Sequence, residues 1–170
     1  MNRRHFVRTA GMMTGVAMLG TWSWSGNVIG QQNVEAMSKE DWKTLLEPAR
    51  YDILFREKTE RAGSSPLDKV YDPGTYVCAA CYQPLFSSED KFDSGTGWPS
   101  FTRPISDQAI DTKKDYKLIW PRTEYHCSRC GGHQGHVFDD GPRPTGQRWC
   151  NNGLALRFIA EGEDLPELRP

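Results

Sequence analysis

The chain has 170 residues, enough for one domain with a real core and too few for a multi-domain machine. Its 21 Lys and Arg against 22 Asp and Glu leave a net charge of -1, which gives neither the basic excess of a nucleic-acid binder nor the acidic excess of a solvated tail. With 6 Trp, 6 Tyr and 7 Phe it is too aromatic to be disordered, and no apolar run is long enough for a polytopic membrane protein.

The N-terminus reads as an address. Arg3-Arg4, with Phe6 just beyond, precedes the apolar Ala10, Met12, Met13, Val16, Ala17, Met18 and Leu19. A positive segment followed by an apolar one is the order of a twin-arginine export signal. Residues 1–37 are therefore expected to be an export signal and linker that sends the protein to the periplasm. Membrane contact is expected only through this segment, which is either cleaved (Val28-x-Gly30 is a weak site) or kept as an anchor. Without Arg3, Arg4, Arg8 and Glu35 the remainder carries a net -3, so no nucleic-acid partner is expected.

The folded domain is expected over residues 38–160. Ser38-Lys-Glu-Asp41 is a helix start, with a capping hydroxyl and acidic residues at the positive helix end. Trp42, Leu45 and Leu46, then Tyr51, Leu54 and Phe55, fall at helical spacing around Pro48, which predicts two short helices stopped by Gly63-Ser-Ser-Pro66. After Pro73-Gly74 the chain is punctuated by Gly and Pro. Short apolar alternations at Tyr76-Val77-Cys78, Leu85-Phe86, Leu118-Ile119-Trp120 and Leu154-Ala-Leu156-Arg-Phe158 predict strands of a small antiparallel β domain with long loops. Leu154, Leu156 and Phe158 would share one strand face. Residues 161–170 form an acidic tail expected to fray.

Four of the five cysteines form two Cys-x-x-Cys knuckles, Cys78–Cys81 and Cys127–Cys130. Two knuckles can supply a tetrahedral sulfur cage with no open position, so the metal, one zinc ion, would be structural. A pair of disulfides or an iron site are the rival readings. Export after folding in the reducing cytosol favours metal. Cys150 is the odd thiol, in Arg148-Trp-Cys-Asn-Asn-Gly153. It reads either as a small core hydrophobe or as a nucleophile whose thiolate the Arg148 cation favours.

Gly131-Gly-His133-Gln-Gly-His136 puts two imidazoles in a Gly-rich stretch after the second knuckle, read as a loop. A second metal pair is one reading, but the Glu of a metalloprotease motif is missing. General acid and base work beside a spare thiol suits the pair better. In Ser94-Gly-Thr-Gly-Trp98-Pro-Ser-Phe101 the Trp is flanked by residues that leave its ring uncrowded. It reads as a core Trp or as a platform for a methyl-sulfur group.

These pieces, in this order, resemble the B-type peptide methionine sulfoxide reductases, the family acting on the R epimer. The matching segments are Cys78-x-x-Cys81, Lys91-Phe-Asp-Ser-Gly-Thr-Gly-Trp-Pro-Ser-Phe101, Cys127-x-x-Cys130, Gly135-His-Val-Phe-x-Asp-Gly-Pro-x-Pro-Thr-Gly146 and Arg148-x-Cys150-x-Asn152. They span Ser38 to Ile159. The resemblance implies a mainly β fold of two small antiparallel sheets with short N-terminal helices and a structural zinc site on Cys78, Cys81, Cys127 and Cys130. It implies Cys150 as nucleophile and Trp98 as the wall against the substrate methyl. It places His133, His136 and Asn152 around the sulfoxide and Arg148, held by Asp140, beside the thiolate.

Thr96 stands where many members carry a second, resolving Cys. Trp149, Asn151 and Gly153 stand where the family commonly shows Tyr or Phe, a β-branched residue and Ser. The expected reaction is thiol-dependent reduction of (R)-methionine sulfoxide in peptides or oxidised exported proteins, through a Cys150 sulfenic acid. A small thiol or a thioredoxin-like protein would be the reductant, and the protein is expected to act as a monomer. A non-enzymatic zinc-ribbon binding module and a thiol peroxidase are the competing classes.

Overall fold

Ser38 starts the fold as the spacing predicts. Its hydroxyl accepts the Asp41 N–H at 3.2 Å while the Asp41 carboxylate accepts the Ser38 N–H at 2.9 Å, a reciprocal cap on α1 (Lys39–Leu45). Pro48 opens α2 (Pro48–Arg56), where a missing N–H costs nothing. Trp42, Ile53 and Leu54 are buried, whereas Leu45 faces solvent. The computed structural model describes residues 37–116 and 120–170. The expected export signal therefore lies outside the described residues, as do Leu118 and Ile119.

Nine strands follow among the described residues: β1 (Gly74–Cys78), β2 (Pro84–Ser87), β3 (Lys91–Phe92), β4 (Ser100–Phe101), β5 (Ile110–Asp115), β6 (Arg122–Cys127), β7 (His133–Phe138), β8 (Arg148–Asn151) and β9 (Leu156–Ala160). They make two antiparallel sheets, one of three strands in the order β2-β1-β9 and one of six in the order β3-β4-β8-β7-β6-β5. The mainly β expectation with two short N-terminal helices holds.

Aromatic rings join the sheets. Phe86 of the small sheet stacks on Phe101 of the large one with centroids 4.3 Å apart, and Tyr76 meets Phe101 edge-on at 5.0 Å. Tyr125 and Trp149 continue the layer, edge-to-face at 5.0 Å. Such pairs contribute about 0.5–1.5 kcal/mol each beyond the area they bury. The helices cover one end, with Leu54 of α2 packed so closely on Gly132 that a Cβ there would come within 3.0 Å of it.

Four local expectations need correction. His133–His136 is not a loop but the start of β7, because its backbone pairs with both β6 and β8. The last strand begins at Leu156, not Leu154. The N–H groups of Gly153 and Leu154 are taken by the Glu60 carboxylate, which holds Gly153–Ala155 in a 3-10 turn. Trp120 is an exposed bend and not part of a strand. The tail does not fray, because Arg169 ties it to the first knuckle. Its N–H donates to Cys81 O at 3.1 Å, its Nη1 donates to Ala80 O at 3.2 Å, and its guanidinium lies 4.1 Å over the Tyr82 ring.

Candidate active site

The period-two alternation of the large sheet sorts its residues onto two faces. Ser100, Cys150, His136 and Glu124 stand directly across from one another on β4, β8, β7 and β6, and so form a row on one face. Arg148 and Phe138 form the adjacent rung on that face. The residues between them, Phe101, Trp149 and Tyr125, turn to the core. Gly135 lets β7 and β8 close up, because a Cβ on it would strike the carbonyl of Cys150. The His136–Cys150 rung depends on that close approach.

Cys150 is half-buried beside a cavity of about 100 Å³, which Thr59, Trp98, Arg122, His136 and Phe138 also line. A larger groove of about 610 Å³ runs beside β1 and β9 and is lined by neither Cys nor His. Burial pushes the Cys150 thiol above its ordinary value. Arg148 and the hydroxyls of Thr96 and Ser100 pull it back without reversing the shift. The expected help from Arg148 is therefore present but outweighed. Arg148 is held rigidly: Nε and Nη2 donate to the two Asp140 carboxylate oxygens, each at 2.8 Å, and its guanidinium lies 4.3 Å over Phe138. Thr96 and Ser100 are linked through the Ser94 hydroxyl, at 2.8 Å on each side.

His133 and His136 each lean on a carboxylate. His136 Nε2 lies 2.8 Å from Asp115 Oδ2, which also accepts from Arg122 Nη2 at 2.7 Å. His133 Nδ1 lies 2.8 Å from Glu124 Oε1. A carboxylate only accepts, so a neutral His136 presents Nδ1 and a neutral His133 presents Nε2 as its remaining nitrogen. Burial pushes both imidazoles below their ordinary value, with the carboxylates opposing. The two rings are 5.6 Å apart. His136 lines the cavity. His133 sits behind it, buried, and its Nε2 has no hydrogen-bond partner among the described residues.

Trp98 and Asn152 reach the cavity from two different loops. Gly97 precedes Trp98 at φ +83°, where a Cβ would also meet the Gly63 N–H at 2.8 Å, so glycine is required there. Trp98 Nε1 donates to Glu60 O at 3.2 Å. Asn152 is buried and largely spoken for: Oδ1 accepts the Glu60 N–H and Nδ2 donates to Gln134 O, both at 3.0 Å. One Nδ2 proton is left. Thr59, Glu60, Asp115, Arg122 and Glu124 were not expected at this site. The sequence shows them as ordinary polar residues, and only their distant partners reveal them.

Cys78, Cys81, Cys127 and Cys130 converge, with all four sulfurs within 4.8 Å of one another. Across the knuckles, Cys78–Cys130 is 3.7 Å and Cys81–Cys127 is 3.5 Å. A tetrahedral site with metal–sulfur bonds of about 2.3 Å has edges of about 3.8 Å, so the cage fits a four-thiolate metal. The two knuckles share one backbone geometry. Cys78 N–H donates to Gln83 O and Cys127 N–H donates to Gly132 O, while Tyr82 and Gly131 N–H return to Cys78 O and Cys127 O. The residue after each knuckle is left-handed, Tyr82 at φ +66° and Gly131 at φ +69°. Gln134 links cage and cavity: Nε2 donates to Cys78 Sγ at 3.5 Å, and its carbonyl receives Asn152.

A family model described as the SelR domain matches residues 46–160. The chain is 54% identical over 124 residues to a peptide methionine sulfoxide reductase MsrB of Leptospira interrogans, covering 73% of this chain and 95% of that one. It is 50% identical over 130 residues to the protein of the same name from Methanosarcina mazei, covering 76% and 93%. To the mitochondrial methionine-R-sulfoxide reductase B3 of Mus musculus it is 41% identical over 150 residues, covering 84% and 59%.

Proposed function

The chain belongs to the SelR family of B-type peptide methionine sulfoxide reductases and is an enzyme that reduces methionine-(R)-sulfoxide; on that footing we propose that Cys150 carries the chemistry through a sulfenic acid. The observation behind this is the half-buried Cys150 thiol facing His136 across one rung, beside a cavity of about 100 Å³ that Trp98 also lines.

In the proposed cycle the Cys150 thiolate attacks the sulfoxide sulfur, with the methyl group against Trp98. The oxygen must be protonated, which the thiolate cannot do. His136, through Nδ1, supplies the proton, and Asp115 steadies the imidazolium. The protonated oxygen passes to the Cys150 sulfur as the methionine sulfur–oxygen bond and the transient bond between the two sulfurs break; methionine leaves, its sulfur reduced by two electrons, and Cys150 is oxidised to the sulfenic acid. Asn152 and His133 act from the side, the first by its remaining Nδ2 proton, the second through its polar contact with Glu124. Arg148 lowers the cost of the thiolate. Thr96 cannot form a disulfide, so a small thiol or a thioredoxin-like dithiol attacks the sulfenic acid and releases water, and a second thiol then attacks the reductant's sulfur in the mixed disulfide and displaces Cys150 as the free thiol.

The cage is proposed to hold zinc, since four sulfurs leave no open position and hard cations prefer oxygen. It would fix the knuckles from which β6 ends and β7 begins. Arg3-Arg4 supports a further proposal, that the enzyme is exported by the twin-arginine route to the periplasm and repairs oxidised proteins there. Cell fractionation of a variant with Lys at both positions tests it. A zinc-ribbon binding module would use the cage alone and has no need of the Cys150 cavity.

The deciding experiment incubates the protein with separated R and S epimers of a methionine sulfoxide peptide and excess dithiol, beside Cys150→Ser. Loss of the R epimer alone, abolished in Cys150→Ser, is expected. Turnover that survives in Cys150→Ser would remove the thiol from the mechanism.

A further inference from the structure

We infer that Glu60 is a positioning residue for the reaction, setting the gap between Trp98 and Asn152 and with it the slot for the sulfoxide methyl. The inference rests on the reductase reading. Glu60 lies between α2 and a 3-10 turn at Pro66–Lys69 and is only 8% exposed. A buried charged side chain is costly unless its acceptors are used, and here they are. Oε1 accepts the Gly153 N–H at 2.6 Å and Oε2 accepts the Leu154 N–H at 2.9 Å.

The same residue holds both walls through its backbone. Its N–H donates to Asn152 Oδ1, and its carbonyl accepts Trp98 Nε1. A second tie joins the Glu60 segment to the Trp98 loop, Gly63 N–H to Gly97 O at 2.7 Å. Trp98 and Asn152 have no direct hydrogen bond among the described residues; the Asn151 N–H donates to Pro99 O at 2.8 Å and joins the two backbones, while residue 60 bridges the two side chains. The carboxylate anchors that bridge to the segment that follows Asn152. Gly153 is shaped to it: a Cβ there would strike Ser65 and lie 3.2 Å from Glu60 Oε1.

The test is Glu60→Gln in the full chain. A carboxylate takes both N–H groups, but an amide turns its own NH₂ toward one of them, donor against donor. The residue must then move, carrying the Asn152 and Trp98 contacts with it. KM for the R-sulfoxide peptide is expected to rise about tenfold with kcat within about twofold. The rate of Cys150 alkylation by iodoacetamide should stay within about twofold, since the nucleophile's own neighbours are untouched. The Trp98 indole N–H resonance, assigned with Trp98→Phe, should shift. An unchanged KM or an unmoved indole resonance overturns the inference and leaves the carboxylate as a cap on the 153–155 turn. If Glu60→Gln melts below assay temperature, Glu60→Asp is scored by the same two readouts. Should the wild type reduce neither epimer, the reductase reading fails, while the indole resonance still tests the tie without turnover.

Discussion

His136 and Cys150 are direct neighbours across the β7–β8 ladder, and the carbonyl of Cys150 occupies the space that a side chain on Gly135 would need. The contact is with backbone, which cannot rotate away. Gly135→Ala should therefore push the strands apart, with a stability loss of about 1–3 kcal/mol and a fall in turnover larger than that loss explains. Denaturant unfolding and a rate measured where the variant is fully folded check both parts. An active, equally stable Gly135→Ala protein would show that the rung does not depend on this approach.

The shifts at the site fix the form of the pH profile. The reactive form needs Cys150 deprotonated, and burial raises that thiol. It also needs His136 protonated, and burial lowers that imidazole. Moving up in pH below the imidazole value, thiolate accumulates faster than imidazolium is lost, so the single-turnover rate rises. Between the two values gain and loss cancel. Above the thiol value only imidazolium is being lost, and the rate falls. A plateau through neutrality is expected, with its acid limb below about 6.5 and its alkaline limb above the ordinary thiol range. A rate that climbs steadily through the alkaline limb would remove His136 as the proton donor.

Arg148 is the main influence holding the Cys150 thiol down. In Arg148→Met the thiol should titrate higher still, and alkylation at neutral pH should slow by up to about tenfold, one pKa unit. Asp140→Asn keeps the cation but loosens its two-point hold, so a smaller slowing is expected. Equal alkylation rates in all three proteins would show that the guanidinium does not act on the sulfur.

One turnover without reductant should leave a single oxidised residue. Dimedone should label Cys150, and intact mass should show no internal disulfide. A disulfide from Cys150 to a knuckle cysteine would replace the one-thiol cycle with one that dismantles the cage.

Stripping the zinc that the cage is proposed to hold, or Cys130→Ser, should cost the fold far more than it costs any one contact. Closed thiolate sites contribute on the order of 10 kcal/mol to the small domains they organise. Metal analysis together with thermal melting decides it. A stripped protein that melts where the wild type does would make the cage dispensable.

The two helices and the four-sulfur cage were legible because their signals are local: a capping box, a Pro at N1, two thiols three residues apart. Strands β3 to β8 were not. Alternation normally shows as apolar against polar, but here one face carries Ser100, Glu124, His136, Arg148 and Cys150, and Gly135 interrupts the other. A strand that builds a site on one side looks like a polar loop. The cavity residues in the motifs, Trp98, His136 and Cys150, could be named in advance. Glu60 and Asp115 could not, since nothing near them in the chain says that they are buried.

Trp149 stands next to the nucleophile in the chain and yet belongs to the opposite surface of the sheet, its ring edge-on to Tyr125 in the core. Its Nε1 donates to the Gln147 side chain, not to anything in the cavity. The departure from the family's usual Tyr or Phe therefore changes how the sandwich is filled. Sequence distance from a reactive atom is a poor guide to what reaches it: Trp149 packs away from the cavity, while residue 60, ninety positions from the nucleophile, bonds to Trp98 and Asn152.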